Sequence, residues 1–123
     1  MFDMINIEKE PKSIFLRIFG TSPLMKIFDF LIVNEEFDYS MADIARLSGV
    51  GYATLKLIWS KLEKNEIIKQ TRMVGKAKMY QLNLENLIIK KFRVFYWDIT
   101  KQAVRKEAGE IQVKSLMRYR DSL

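Results

Sequence analysis

The sequence predicts a mainly α chain with one small β-hairpin, in the order helix, tight turn, helix, hairpin, long helix. Three observations carry that expectation. Apolar residues recur at helical spacing over residues 24–32, 44–47 and 55–62, and again from Leu84 onward. Gly49 and Gly51 bracket Val50 between two of those stretches, which suits a short turn that needs backbone freedom. Ile67 and Ile68 then open a segment of alternating side chains that Gly75 can fold back on itself.

Each element has its own signals. Residues 1–12 are mixed and polar with Pro11 as a breaker, and read as an N-terminal arm. Ser13 can cap residues 14–19, where Ile14, Phe15, Ile18 and Phe19 suit a helix lying on the core or a short strand. Ser22 and Pro23 are a helix start, an N-cap followed by Pro at the first helical position. Leu24, Ile27, Phe28, Leu31 and Ile32 give that helix one core face as far as about Asn34. Glu35, Glu36 and Asp38 follow in a loop and read as solvated charges rather than acid–base machinery. Tyr39 closes a short strand expected to pair with the later hairpin.

Ser40 is placed to cap a helix over 41–48, with Asp43 three residues on as in a capping box. The same geometry, a hydroxyl beside free backbone N–H groups, also suits a phosphate. In the helix over 52–64, Leu55, Ile58 and Leu62 face inward. Tyr52, Ala53, Thr54, Lys56, Leu57, Ser60 and Lys61 fall mostly outward, and Trp59 is expected partly buried against the N-terminal segment or a partner. Strict alternation in the hairpin over 67–82 crowds Arg72, Lys76 and Lys78 at its tip, and like charges facing each other across strands cost stability. Either a polyanionic partner or the use of Lys to protect a sheet edge accounts for that cost.

Asn83 can cap a last helix beginning at Leu84 and running to Glu107, about 36 Å. Leu84, Ile88, Phe92, Phe95, Ile99 and Ala103 lie in one stripe, whereas Val94, Trp97 and Val104 lie off it. Of residues 84–104, 12 of 21 are apolar, more than one small domain can cover, so a second copy of the chain is the expected partner and Tyr96 joins the expected interface. Gly109 can end or bend this helix, and residues 111–119 can form a further turn or two with a basic tail of Lys114, Arg118 and Arg120. The chain thus divides into an arm and short helix (1–20), a central unit (21–83) and a dimerisation helix with tail (84–123).

The run Gly49-Val50-Gly51-Tyr52-Ala53-Thr54-Leu55, then Leu62-Glu63-Lys64-Asn65-Glu66-Ile67-Ile68 and a basic hairpin, resembles the winged helix-turn-helix of microbial transcription regulators. The likeness is to small archaeal regulators grouped with the ArsR and MarR types, and it covers roughly residues 20–84. Glu66 departs from the pattern, since that family usually has Gly there, and the departure implies that Asn65 takes the left-handed helix-terminating conformation instead. The resemblance implies a recognition helix over 52–64 in the major groove and the hairpin as a wing on the backbone or in the minor groove. It places Ser40, Gly51, Tyr52, Ala53, Thr54, Lys56, Ser60, Lys61, Arg72, Lys76 and Lys78 at DNA.

Composition agrees with that reading and excludes others. The chain carries a net charge of +6 with 49% hydrophobic residues, enough for one domain with a core. The charge is uneven: residues 1–51 sum to −3, residues 52–93 to +7 and residues 94–123 to +2, so the excess begins at the proposed recognition helix. There is no Cys and no His, which removes disulfides, thiol chemistry, the usual zinc sites and the commonest general base. No secretory signal or membrane span is legible, so a cytoplasmic protein without cofactor is expected. The rival reading is a winged-helix protein-interaction module in a larger assembly that does not read DNA; an enzyme lacks any nucleophile–base pair. No effector pocket is legible.

Overall fold

The computed structural model describes residues 12–122. The arm expected over 1–12 therefore lies, apart from Lys12, outside the described residues. Six-residue α1 (Ile14–Phe19) is followed by α2 (Pro23–Val33), α3 (Met41–Ser48), α4 (Tyr52–Lys64), the hairpin strands β1 (Ile68–Val74) and β2 (Ala77–Leu82), and the 36-residue α5 (Leu87–Ser122). The third strand at Tyr39 reduces to one antiparallel bridge with Tyr80.

Local chemistry sets the helix starts. The hydroxyls of Ser13, Ser22 and Ser40 accept from the backbone N–H of Leu16, Met25 and Asp43, each satisfying an orphan donor of the first turn. The Asp43 carboxylate does not return the bond to Ser40; it pairs with Arg46 at 3.0 Å, so only half of the capping box forms. Gly49 ends α3 in the left-handed region at φ 74°, the conformation a side chain resists. Gly51 does not need such freedom: its backbone is extended at φ −61°, and it serves as N-cap of α4.

Two boundaries depart from the sequence reading. The left-handed residue after α4 is Glu66, at φ 56°, and not Asn65, at φ −91°. Asn65 is occupied otherwise, its amide donating to the Lys61 carbonyl. The Glu66 carbonyl is instead gripped by the side-chain amides of Asn83 and Asn86, at 3.0 and 2.9 Å. The long helix starts at Leu87 rather than Leu84 because the chain holds two successive caps. Asn83 Oδ1 accepts from Glu85 N, and Asn86 Oδ1 accepts from Ile88 N at 2.8 Å, so residues 84–86 form a turn. Once begun, α5 runs past Gly109 without a break and spans about 54 Å at 1.5 Å per residue.

One core joins the elements. Ile27, Leu31 and Ile32 of α2, Ile44 and Ala45 of α3, and Leu55, Trp59 and Leu62 of α4 are buried with Ile67, Ile68, Tyr80 and Leu82 of the hairpin. Trp59 packs edge-on against Tyr80 at 4.8 Å and is buried within its own chain, so the wing covers it without a partner, while residues 1–11 of the N-terminal segment lie outside the described residues. Ile89 and Tyr96 anchor α5 to this core. An aromatic cluster of Phe15, Phe28, Phe92 and Tyr96 fastens α1 and α2 to α5, with neighbouring ring centroids 5.3–6.0 Å apart. The Tyr96 hydroxyl donates to Asp29 Oδ1 at 2.7 Å, and Ser13 donates to the same oxygen at 2.6 Å. Burial, followed by that carboxylate, holds the Tyr96 phenol above its ordinary pKa.

Candidate nucleic-acid interface

Helix α4 lies against the core on Leu55, Trp59 and Leu62, which leaves Tyr52, Ala53, Thr54, Lys56, Ser60 and Lys61 exposed along its other side. Helical spacing alone predicts that side for all six and for the equally outward Leu57. The Lys56 ammonium lies 5.4 Å from the centre of the Tyr52 ring, so the aromatic face steadies a cation at the first turn. With Gly51 as N-cap, no side chain occupies the α4 N–H groups.

The wing stands beside this helix. Ser40, Met41, Ala42, Tyr52, Lys76, Ala77, Lys78 and Tyr80 line a groove of about 360 Å³ between the start of α3, the start of α4 and β2. Four predicted residues from three separate segments (Ser40, Tyr52, Lys76 and Lys78) therefore share one concavity with a cationic wall. The Ser40 hydroxyl is engaged as a helix cap.

Arg72 is elsewhere. A bulge between Gln70 and Arg72 breaks the alternation that sequence reading assumed. Beyond it Arg72 pairs with Met79 and Lys78 with Met73, so no two cations oppose each other and the expected cross-strand repulsion is absent. The Arg72 guanidinium grips Asp38 through two bonds, Nε at 2.9 Å and Nη2 at 3.1 Å, and the Thr71 hydroxyl donates to the same carboxylate. The Arg72 bond first, and the Thr71 bond next, lower the Asp38 pKa to about 2. Arg72 and Asp38 line a different groove, of about 440 Å³, with Glu36, Phe37, Tyr39, Thr71 and Gln81.

Two of the three acids expected to be solvated, Glu35 and Asp38, thus strap the loop 35–38 down, while Glu36 is exposed as expected. Glu35 accepts from Arg93 of α5 at 2.8 Å, and its carbonyl accepts from the Gln81 amide of β2 at 2.7 Å. The Asp38 and Glu35 side chains retain only 15% and 12% of their exposure. Sequence reasoning missed both pairs because their partners lie 34 and 58 positions away, and no local pattern marks such a pairing.

The residues expected at a dimer interface divide. Tyr96 is buried inside its own chain, and Leu84, Phe92 and Ile99 pack on its own core. Ala103 is half-buried. Ile88 and Phe95 remain exposed, and Phe95 meets the exposed Phe19 of α1 at 5.7 Å. Leu87, Val94, Trp97 and Val104 are exposed on the opposite flank of α5.

No family model matches the sequence, and no curated protein does. Solved structures match the fold. MepR of Staphylococcus aureus, a transcription regulator of the multidrug efflux pump MepA, aligns with a TM-score of 0.53 at 17% identity, over 79% of this chain and 75% of that one. ZitR of Lactococcus lactis, a zinc-responsive MarR family member, aligns at 0.52 and 15% identity over 76% of this chain and 69% of that one. An apo form of a ZitR double mutant gives 0.52 at 17% identity over 87% and 88% of the two chains. The chain therefore has the winged-helix fold of MarR-type regulators. Nothing in these likenesses supports an archaeal affinity. The zinc response is a property of ZitR; this chain has neither Cys nor His, and no cluster of three potential ligands occurs among the described residues. No helix among the described residues is long and apolar enough to cross a membrane.

Proposed function

We propose that this chain is a cytoplasmic, non-enzymatic transcription regulator that binds double-stranded DNA by sequence as a homodimer. Helix α4 enters the major groove, with Tyr52, Ala53 and Thr54 at base edges. Gly51 leaves that end of the helix unobstructed, Ser60 lies farther along it, and Lys56 and Lys61 meet phosphates on either side. Lys76 and Lys78 bring the wing onto the backbone, and Arg72, tied to Asp38, sets the wing's tilt. Ser40 holds the end of α3 toward the phosphates. Ile88 and Phe95, with α1, supply the surface against the second copy, above an anchor of Leu84, Phe92, Tyr96, Ile99 and Ala103.

The observation that carries this reading is the shared groove: a cationic concavity formed by Ser40, Tyr52, Lys76 and Lys78 that continues onto the exposed face of α4. A second reading, a protein-interaction module without DNA readout, is favoured by the exposed apolar flank of Leu87, Val94, Trp97 and Val104.

Selection of bound fragments from random duplex DNA tests the proposal, followed by binding curves for variants. Thr54→Ala and Tyr52→Ala are expected to cost roughly 1–3 kcal/mol per lost base contact, mainly on the selected site. Lys78→Ala is expected to weaken selected and random DNA alike. Failure to enrich any sequence would leave the interaction module as the better account.

A further inference from the structure

One side chain on α4 has no role inside the protein. Leu57 is 84% exposed, the highest value of any large hydrophobic among the described residues; the next, Ile88, is at 66%. It stands on the line Ala53, Leu57, Ser60, Lys64, spaced i, i+4, i+7 and i+11, directly opposite the buried Leu55, Trp59 and Leu62. All four residues of that line are exposed. Lys56 and Lys61 flank it on its two sides, so the apolar position is central and the cations are lateral.

That pattern matches a major groove, where phosphates run along both rims and base edges form the floor. On that floor most groups donate or accept hydrogen bonds, and a leucine side chain does neither. Thymine is the base that presents a methyl group there. We propose that Leu57 is a specificity-determining residue that reads the 5-methyl group of thymine, with Ala53 one turn away leaving room for the base pair to approach. The inference rests on the DNA-binding reading above and adds its chemical content: at its centre the recognition helix selects by apolar contact rather than by hydrogen bonding.

The test uses the full chain and its selected duplex in two forms, one natural and one with deoxyuridine replacing thymidine in the half-sites, which removes only the methyl groups. Wild-type protein is expected to lose about fourfold in affinity per contacted methyl, the value of one buried methylene. Leu57→Ala, at an exposed position and so without effect on the fold, is expected to bind the natural duplex correspondingly less tightly and to show no further loss on the uracil form. Equal loss on the uracil form by wild type and variant would overturn the inference, as would selected half-sites without thymine. A Leu57→Ala variant that changed the mass in light scattering would also overturn it, since Leu57 would then face protein. Salt-sensitive binding that ignores the methyl groups removes this inference alone, whereas wild-type protein that binds no duplex removes the DNA-binding reading with it.

Discussion

Asp38 shows how a single residue ties the loop before α3 to the wing. Its carboxylate sits between the Thr71 hydroxyl and the Arg72 guanidinium, and these bonds hold its pKa at about 2, below the ordinary carboxylate range of about 3.9. The sign follows directly. A carboxylate whose folded pKa is depressed stabilises the fold fully above its unfolded value, and the contribution is lost as pH falls from about 4 toward 2. A carbon-detected NMR titration of the Asp38 carboxyl group is expected to give a midpoint near 2. In Arg72→Gln the midpoint is expected to rise toward about 3.9, the free-carboxylate value. An unchanged midpoint in that variant would show that Arg72 does not hold the group. The outward side chains of α4 were legible at this scale because helical spacing alone fixes which side faces the core. The Asp38–Arg72 pair was not legible, because the sequence contains several acids and several bases but no record of which meet.

Among the elements, the junction between α4 and the wing holds the one non-glycine residue with positive φ among the described residues. Glu66 occupies the left-handed region, which costs a non-glycine residue roughly 1–2 kcal/mol, and the amides of Asn83 and Asn86 hold its carbonyl there. Glu66→Gly is expected to raise stability by about 0.5–1 kcal/mol in urea unfolding, the relief of strain less the entropy of a freer unfolded glycine. A destabilised variant would mean that the Glu66 side chain contributes more than its backbone costs. The sequence showed that a helix ended near here but put the left-handed turn one residue early, since Asn tolerates that conformation better than Glu. Long-range grip by Asn83 and Asn86 outweighed the local preference. The start of α5 was misplaced for a related reason: Asn83 and Asn86 are both competent caps, and only the folded chain shows that the second begins the helix. The wing's bulge had no signal either, since Thr71 looks like any other strand residue.

For the whole molecule, α5 divides the apolar residues of its described part, residues 87–104, between the chain's own core and solvent. Ile89, Phe92, Tyr96 and Ile99 bind the chain together, while Ile88 and Phe95 extend an exposed surface begun by Ile18 and Phe19. The sequence stripe recorded that the helix has too many apolar residues for one domain, but not which of them the protomer uses. Light scattering at micromolar concentration is expected to give about twice the 14.6 kDa chain mass. The Ile88→Asp, Phe95→Asp double variant is expected to give a folded monomer, because both residues are exposed in the protomer and a carboxylate buried unpaired at an interface is costly. A dimer that survived both changes would move the interface to the flank of Leu87, Val94, Trp97 and Val104.

Whether the surface made by α4 and the wing meets the phosphates of duplex DNA is read from the salt dependence of binding to the selected duplex. With Lys56, Lys61, Lys76 and Lys78 contributed by each of two copies, six or more phosphate contacts are expected. The slope of log K against log salt is then expected to be about −5 or steeper, and Lys78→Ala is expected to make it shallower by about 1 for each contact removed. A flat dependence, unchanged by Lys78→Ala, would mean that this surface does not meet phosphates.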